Sequence, residues 1–364
     1  MPSPTRSPMP DRLSLPVGII GAGLAGLAAA HALGAAGVAS VVIDKSRGVG
    51  GRAATRWRDV AGPDGRSVRW RVDHGAQVFT PEPGSAADRL VRSVIEPVEI
   101  AGRVVPFSSD GLLRPGDART DGPPRLAFAD GYAALARALA DDTPTIDLRL
   151  STTATALDRA DDGTWTVAAI DADGRAVTLG PFRAVVLTPP APQAAALAPV
   201  ADVADSLAAA TYRSQFAVVL AFDAPVALPG GAYALVNAPA DGHAVAWLAD
   251  ESCKPNRAPD GAGLLVAQMS DAWTRAHYDA ERADVVARAA EHVEALVGPL
   301  PARLWADTQR WRYSLPDASI DAGAVRAAGA HGLYVAGDAV AGQGRAHLAL
   351  ESGLDAAARL LAAG

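Results

Sequence analysis

The sequence predicts an α/β fold of two domains, one opened by a β-α-β unit and interrupted by a second in which strands and helices mix. Three observations predict it. Residues 16–43 read as strand, glycine turn, alanine-rich helix and strand, and residues 332–363 read as another buried strand and helix. The stretch between them alternates β-like runs with helices. The 364 residues are 49% hydrophobic, and a single core rarely grows past roughly 250–300 residues.

The elements follow from local pattern. Pro16 to Ile20 is a short apolar run ending in glycines, Leu24 to Leu33 an alanine-rich helix, and Ser40 to Ile43 a second strand. From Ser67 to Val72 polar and apolar residues alternate, the period of a half-buried strand, and this strand delivers the segment Asp73 to Thr80. Residues 81–126 are rich in proline, glycine and charge, with Val104 to Phe107 as a short strand. Ala129 to Ala140 reads as an amphipathic helix and Thr145 to Leu157 as an extended run. Thr164 to Leu187 reads as two strands joined by the turn Asp171 to Arg175. After Thr188-Pro189-Pro190, strand-like runs at Ala217 to Phe222, Ala244 to Leu248 and Leu264 to Gln268 precede a helix from Ala280 to Leu296. Gly332 to Ala336 is a last buried strand, and Leu348 to Ala363 a terminal helix that packs back on the first sheet. The division that results places residues 15–80, 127–190 and 326–364 in one domain and 81–126 and 191–325 in the other. Residues 1–14, polar and proline-rich, are expected to be flexible.

Composition narrows the function classes. A formal charge of -7 and a pI near 5.5 provide no basic field for a polyanion, so a small ligand is expected and nucleic acid is not. Cys253 is the only cysteine, which excludes an intrachain disulfide and any CxxC metal site and suits a reducing cytoplasm. No apolar stretch reaches the roughly 20 residues of a membrane helix, so a cytoplasmic protein without a membrane partner is expected. Lys45 and Lys254 are the only lysines.

The chemistry-bearing motif is Gly21-Ala22-Gly23-Leu24-Ala25-Gly26, which follows a strand and opens a helix. In that context the glycines give a tight turn, close approach of a pyrophosphate and close helix packing. Asp44 lies 18 residues beyond Gly26 at the end of the second strand, where a carboxylate accepts hydrogen bonds from a ribose diol. These residues alone suit NAD and FAD equally.

Asp44 is followed by Lys45 and, after a short loop, by Gly50-Gly51-Arg52. This spacing resembles the FAD-specific extension of the amine oxidase and renalase superfamily, in which a glycine pair lets backbone amides pass beside the pyrophosphate while an arginine adds charge and planar donors. The strings Asp44 to Arg56 and Asp73-His74-Gly75-Ala76-Gln77-Val78-Phe79-Thr80 are similar to renalase-family signatures, as are Trp247-Leu248-Ala249, Asp271 to His277, Arg310-Trp311-Arg312-Tyr313, Gly337-Asp338 and Ser352-Gly353. The resemblance implies a Rossmann-like FAD-binding domain of the p-hydroxybenzoate-hydroxylase and amine-oxidase type, with the inserted mixed sheet roofing the substrate. It implies non-covalent FAD.

The same resemblance distributes roles. Gly75, Ala76, Gln77, Val78 and Phe79 run alongside the isoalloxazine, and the backbone of Ala154 meets the adenine. Asp338 after Gly337 faces the ribityl and phosphate chain, and Thr188 and Arg345 join the cofactor set. The helix that starts near Ala346 aims its N-terminal amides at flavin N1 and O2. His347 and Leu348 replace an acidic residue and glycine usual in the family, so Leu348 is expected at the flavin edge and His347 beside the substrate. Trp247, Trp311, Tyr313 and Gln77 are the remaining candidates for the substrate pocket. His74 is read as a structural histidine. Lys254 and Arg257 resemble a basic pair of the family and are read as bracing a loop. No side chain is assigned as a general base.

By resemblance the chain is a FAD-dependent oxidase that takes hydride at flavin N5 from a dihydronicotinamide isomer, 2- or 6-dihydroNAD(P), releasing NAD(P)+ while O2 becomes hydrogen peroxide. Two alternatives stay open: oxidation of an amine or secondary metabolite on the same scaffold, and a nucleotide-binding redox sensor without turnover. Amine oxidases commonly place a lysine near flavin N5, and Lys254 is the one lysine free for that task.

Overall fold

The computed structural model describes residues 12–61, 67–111 and 124–363. Most of the expected N-terminal arm, residues 1–11, lies outside the described residues. Arg12–Ser14 form a single 3-10 turn.

Val17–Ile20, all four residues buried, is the central strand of a five-stranded parallel sheet. Leu333–Val335 and Ala184–Leu187 lie to one side of it, Ser40–Ile43 and Ile146–Arg149 to the other. An all-parallel sheet needs both faces covered. Helices Leu24–Ala35 and Ala346–Ala362 cover one face, where Ala25, Ala29, Ala356 and Leu360 meet Val17, Ile19, Val42 and Val186. Their contact is close because Gly353 has no side chain: a Cβ there would lie 2.1 Å from the Ala25 carbonyl oxygen. On the other face Leu157, Trp165, Val167 and Phe182 of a three-stranded antiparallel sheet pack on Ile20, Ile43, Val185 and Leu187, together with Val203 and Leu207 of helix Ala201–Ala208.

The second sheet has six strands in the order Arg303–Pro316, Tyr212–Phe222, Gly263–Met269, Val245–Asp250, Ala232–Asn237 and Arg103–Phe107. Every pairing is antiparallel except the last, so the expected mixed sheet is present. Helix Arg282–Val297 buries Val285, Ala289 and Val293 against Val218, Leu220 and Leu265 on its back.

Local differences from the sequence reading have physical causes. The extended run Thr145 to Leu157 divides at Ser151, whose φ of 51° turns the chain from the parallel strand Ile146–Arg149 to the antiparallel strand Thr153–Arg159. Thr164 to Leu187 holds three strands, because Ala184–Leu187 leaves the antiparallel sheet for the parallel one. Thr55–Ala61, not expected as a strand, pairs with Ser67–Asp73 as a hairpin. The described part of residues 81–126 serves both units. Arg103–Phe107 joins the six-stranded sheet, whereas helix Ala86–Val94, capped by the Ser85 hydroxyl, packs Ala87, Leu90 and Val91 with Leu27, Leu135 and Leu350. Residues 112–123 lie outside the described set. Among the described residues no helix is long and apolar enough to cross a membrane.

Candidate active site

A cleft of about 2530 Å³ lies between the carboxyl ends of the parallel strands and one face of the six-stranded sheet, where open α/β sheets place their ligands. Its first wall is the glycine turn. The Gly21 amide donates to the Ile43 carbonyl at 2.8 Å, and the Ala22 amide donates to Asp44 Oδ2 at 2.7 Å. Asp44 Oδ1 accepts from the Ser46 amide at 2.7 Å, so this carboxylate fastens the turn to its own strand. Gly26 lies where a Cβ would be 2.0 Å from the Gly21 carbonyl oxygen. Helix Leu24–Ala35 begins at Gly23 with no side chain capping its first amides, which leaves a partial positive charge facing the cleft. The pair Gly50-Gly51, at φ of 108° and 56°, lies against this turn through a bridge to Gly23, the Gly50 amide donating to the Ala22 carbonyl at 2.8 Å.

The second wall is the segment after strand Ser67–Asp73. Gly75, Ala76, Gln77 and Val78 line the cleft. The chain at Gly75 touches the glycine-pair loop so closely that a Cβ would come within 1.9 Å of the Arg52 carbonyl oxygen, and the Ala76 amide donates to that oxygen at 3.0 Å. Two donors from the facing sheet bind this segment: Trp311 Nε1 to the His74 carbonyl at 3.0 Å and Gln268 Nε2 to the Gly75 carbonyl at 2.6 Å.

The roof is one register row across six strands. Gln309 pairs with Ala217, Ala217 with Gln268, Gln268 with Trp247, Trp247 with Val236 and Val236 with Pro106. Directly paired residues share a face, and all of this row except Ala217 line the cleft. Two residues along the strand Tyr212–Phe222 from Ala217, Gln215 pairs with Trp311, and both line the cleft. The roof therefore carries two tryptophans and three glutamines, with Val236 and Pro106 at its far end.

Residues 109–361 match the family of flavin containing amine oxidoreductases, and residues 19–94 match the NAD(P)-binding Rossmann-like domain. The chain belongs to the flavin containing amine oxidoreductase family. The fold is similar to that of a putative protoporphyrinogen oxidase from Exiguobacterium sp. 255-15, with a TM-score of 0.72 at 15% identity over 96% of this chain and 99% of that one. It is similar also to wild-type putrescine oxidase bound to putrescine, with a TM-score of 0.69 at 17% identity over 96% and 99%. Cyclohexylamine oxidase from Brevibacterium oxydans IH-35A gives a TM-score of 0.69 at 15% identity over 96% and 99% of the two chains.

In this family the cofactor is FAD and the protein is an oxidoreductase. The cleft fits it: uncapped helix amides meet a glycine turn at which a Cβ on Gly23 would find nothing within 4 Å, the arrangement that admits a pyrophosphate. Gly21, Gly23, Leu24, Ala25, Asp44, Lys45, Gly50, Gly51 and Arg52 line this end, with Ala154, Thr188, Gly337, Asp338, Arg345 and Ala346. Asp44→Ala is expected to weaken FAD retention by about tenfold or more, because the Ala22 amide of the turn and the Ser46 amide of the following loop lose a charged acceptor worth roughly 1.5–3 kcal/mol each. Dialysis followed by the ratio of flavin to protein absorbance checks it, and unchanged occupancy would refute the role.

Other sequence-expected residues lie elsewhere. Ala22 is fully buried behind the turn and Gly26 packs against Gly21, so both shape the cradle without lining it. Phe79 is entirely buried beside Phe128. His347 and Leu348 do not line the cleft, which corrects their expected places at the flavin edge and the substrate. In helix Ala346–Ala362 positions 346 and 349 share the cleft-facing side, and a helix turns about 100° per residue, so the two residues between them point away. His347 faces Phe79, and burial lowers its pKa. Arg52 and Asp338 line the cleft yet are each other's partners, at 2.6 and 2.8 Å, with Arg52 also donating to the Tyr313 and Ser314 carbonyls. The Thr188 hydroxyl donates to the Ile20 carbonyl at 2.8 Å. His74 stacks on Trp311, ring centroids 5.4 Å apart, and burial together with Arg56 pushes its pKa down to about 4, so it is neutral at physiological pH.

Beneath the second wall lies an arrangement that sequence reasoning reached only in part. Asp73, Glu251, Lys254 and Arg257 form a wholly buried ion cluster. Arg257 Nη2 meets Asp73 Oδ2 at 2.7 Å and its Nε meets Glu251 Oε1 at 3.0 Å, while Lys254 Nζ meets Glu251 Oε2 at 2.6 Å and donates to the Gln77 carbonyl at 2.8 Å. Burial works against the charge on Asp73, but Arg257, Lys254, the Thr55 hydroxyl and the Tyr132 amide outweigh it and hold its pKa low. On Glu251 burial prevails over Lys254 and Arg257 and raises the pKa. Lys254 braces the segment after strand Ser67–Asp73 from behind and is absent from the cleft wall. The spacing Glu251, Lys254, Arg257 was the available signal, but Asp73 lies far away in sequence.

Proposed function

We propose that the protein oxidises dihydronicotinamide dinucleotides reduced at the 2 or 6 position to NAD(P)+, with O2 accepting the electrons and leaving as hydrogen peroxide. The balance is a dihydronicotinamide, O2 and one proton in, NAD(P)+ and H2O2 out. FAD, non-covalently held, supplies the two-electron acceptor and the reactivity toward oxygen.

The observation that carries this reading is the chemistry of the roof. An amine substrate is a cation near neutral pH and is served by a carboxylate or by a group that takes its proton. Among the described cleft residues, the carboxylates are Asp44, held by backbone amides, Asp338, held by Arg52, and exposed Asp141, and none belongs to the roof sheet. The lining lysine is Lys45, at the nucleotide end. What the roof offers is Trp247 and Trp311 for stacking a flat ring and Gln215, Gln268 and Gln309 for neutral polar groups. Hydride donation from such a ring needs no general base, in keeping with a neutral His74. A cytoplasmic setting supplies dinucleotides and suits the lone Cys253.

Amine oxidation is the second reading, favoured by the same tryptophan pair, whose faces attract cations. Anaerobic mixing separates the two. Rapid loss of the oxidised flavin band with 2- or 6-dihydroNAD(P) and none with amines is expected. Bleaching by amines alone would overturn the proposal, and bleaching by no donor would favour a redox sensor.

A further inference from the structure

The roof glutamines do not spend their hydrogen bonds alike. Gln309 uses both ends, accepting from Arg56 at 2.6 Å and donating to the Arg310 carbonyl at 3.2 Å. Gln268 donates Nε2 to the Gly75 carbonyl, a bond that fixes which end of the amide faces the wall and leaves Oε1 without a partner among the described residues. Gln215 is oriented the opposite way: its Oε1 accepts from the Ser314 hydroxyl at 2.9 Å, which leaves the Nε2 donors without one. The roof thus holds one free acceptor and one free donor pair, each directly opposite a tryptophan in the register, Gln268 beside Trp247 and Gln215 beside Trp311. Because Ala217 pairs with Gln268 and lies two residues from Gln215, the two glutamines are diagonal neighbours, roughly 7–8 Å apart. A primary carboxamide with a hydrogen bond of about 2.9 Å at each end spans a comparable distance.

We propose that Gln268 and Gln215 are specificity-determining residues that read a primary carboxamide on the substrate ring, Gln268 Oε1 accepting from its NH2 and Gln215 Nε2 donating to its C=O. The inference rests on the dihydronicotinamide reading and deepens it, since it names the ring substituent the site selects. An amide is matched by one acceptor and one donor. A ketone in its place leaves Gln268 Oε1 unpaired, and a carboxylate sets a negative oxygen against it. A site whose polar groups are built for one hydrogen-bonding pattern rejects analogues that lack it far better than an apolar pocket does.

The test compares the 6-dihydro forms of NAD and of 3-acetylpyridine adenine dinucleotide, which keeps the carbonyl and lacks the NH2. Wild type is expected to favour the carboxamide in kcat/KM on the order of tenfold to a hundredfold, Gln268→Leu to reduce that ratio to near one, and Gln215→Leu to slow both substrates alike. Equilibrium binding of NAD+, its acetyl analogue and nicotinic acid adenine dinucleotide to the wild-type holoenzyme, followed by tryptophan fluorescence, needs no variant and should rank them in that order. Equal binding of all three, or a ratio that Gln268→Leu leaves unchanged while both donors are still oxidised, overturns the carboxamide assignment and spares the donor assignment. Oxidation of amines with neither dihydronicotinamide turned over overturns both.

Discussion

Arg257→Leu is expected to destabilise the protein by about 3–5 kcal/mol, because removing one partner of a buried ion pair leaves an uncompensated charge in the interior. The guanidinium is wholly buried and bonds Asp73, Glu251 and the carbonyls of Phe128, Ala129 and Pro255. Its loss leaves two carboxylates facing a single ammonium. Thermal denaturation at fixed FAD concentration should show a fall of roughly 5–15 °C. A shift of only a degree or two would mean that water or rearrangement compensates the charges and that the cluster does not brace the site. The double variant Arg257→Leu with Asp73→Asn separates the two causes. If the penalty comes from unpaired charge, it should cost less than the sum of the single changes. Because Lys254 of the same cluster holds the Gln77 carbonyl, flavin affinity is expected to fall along with stability.

What the sequence made legible was local. A glycine turn between strand and helix, a carboxylate closing the next strand and a glycine pair after it are contiguous patterns, and the cleft lines up along them. Trp247, Trp311 and Tyr313 line the cleft. Register was not legible. That Gln309, Gln268 and Trp247 form one row depends on which residues of three separate strands stand opposite each other, and no pattern within any one strand specifies this. Helix phase explains His347 and Leu348: the motif gave the right helix, but only the rotation about its axis says that 346 and 349 face the cleft. The buried cluster was legible only as the basic pair Lys254 and Arg257, because its carboxylates at 73 and 251 join that pair only when the fold encloses all four.

Gly26→Ala should separate the cradle from the cofactor it holds. A methyl at position 26 would sit 2.0 Å from the Gly21 carbonyl oxygen and 3.2 Å from the Thr188 hydroxyl. The first contact is with backbone, so the turn or the helix must move. Overpacking of this kind costs about 1–3 kcal/mol, and the displaced turn loses its aim at the pyrophosphate, so FAD should bind roughly tenfold to a hundredfold more weakly and the apoprotein should melt earlier. Gly23→Ala is the contrasting change. Gly23 has φ of -78°, which any residue adopts, and its Cβ would meet no protein atom within 4 Å, so the apoprotein should melt where wild type does. The new methyl would nonetheless project from the cleft wall, and FAD affinity should fall. Equal melting of both apoproteins would show that the contact at Gly26 relaxes freely. Undiminished FAD binding in Gly23→Ala would place the pyrophosphate away from the turn.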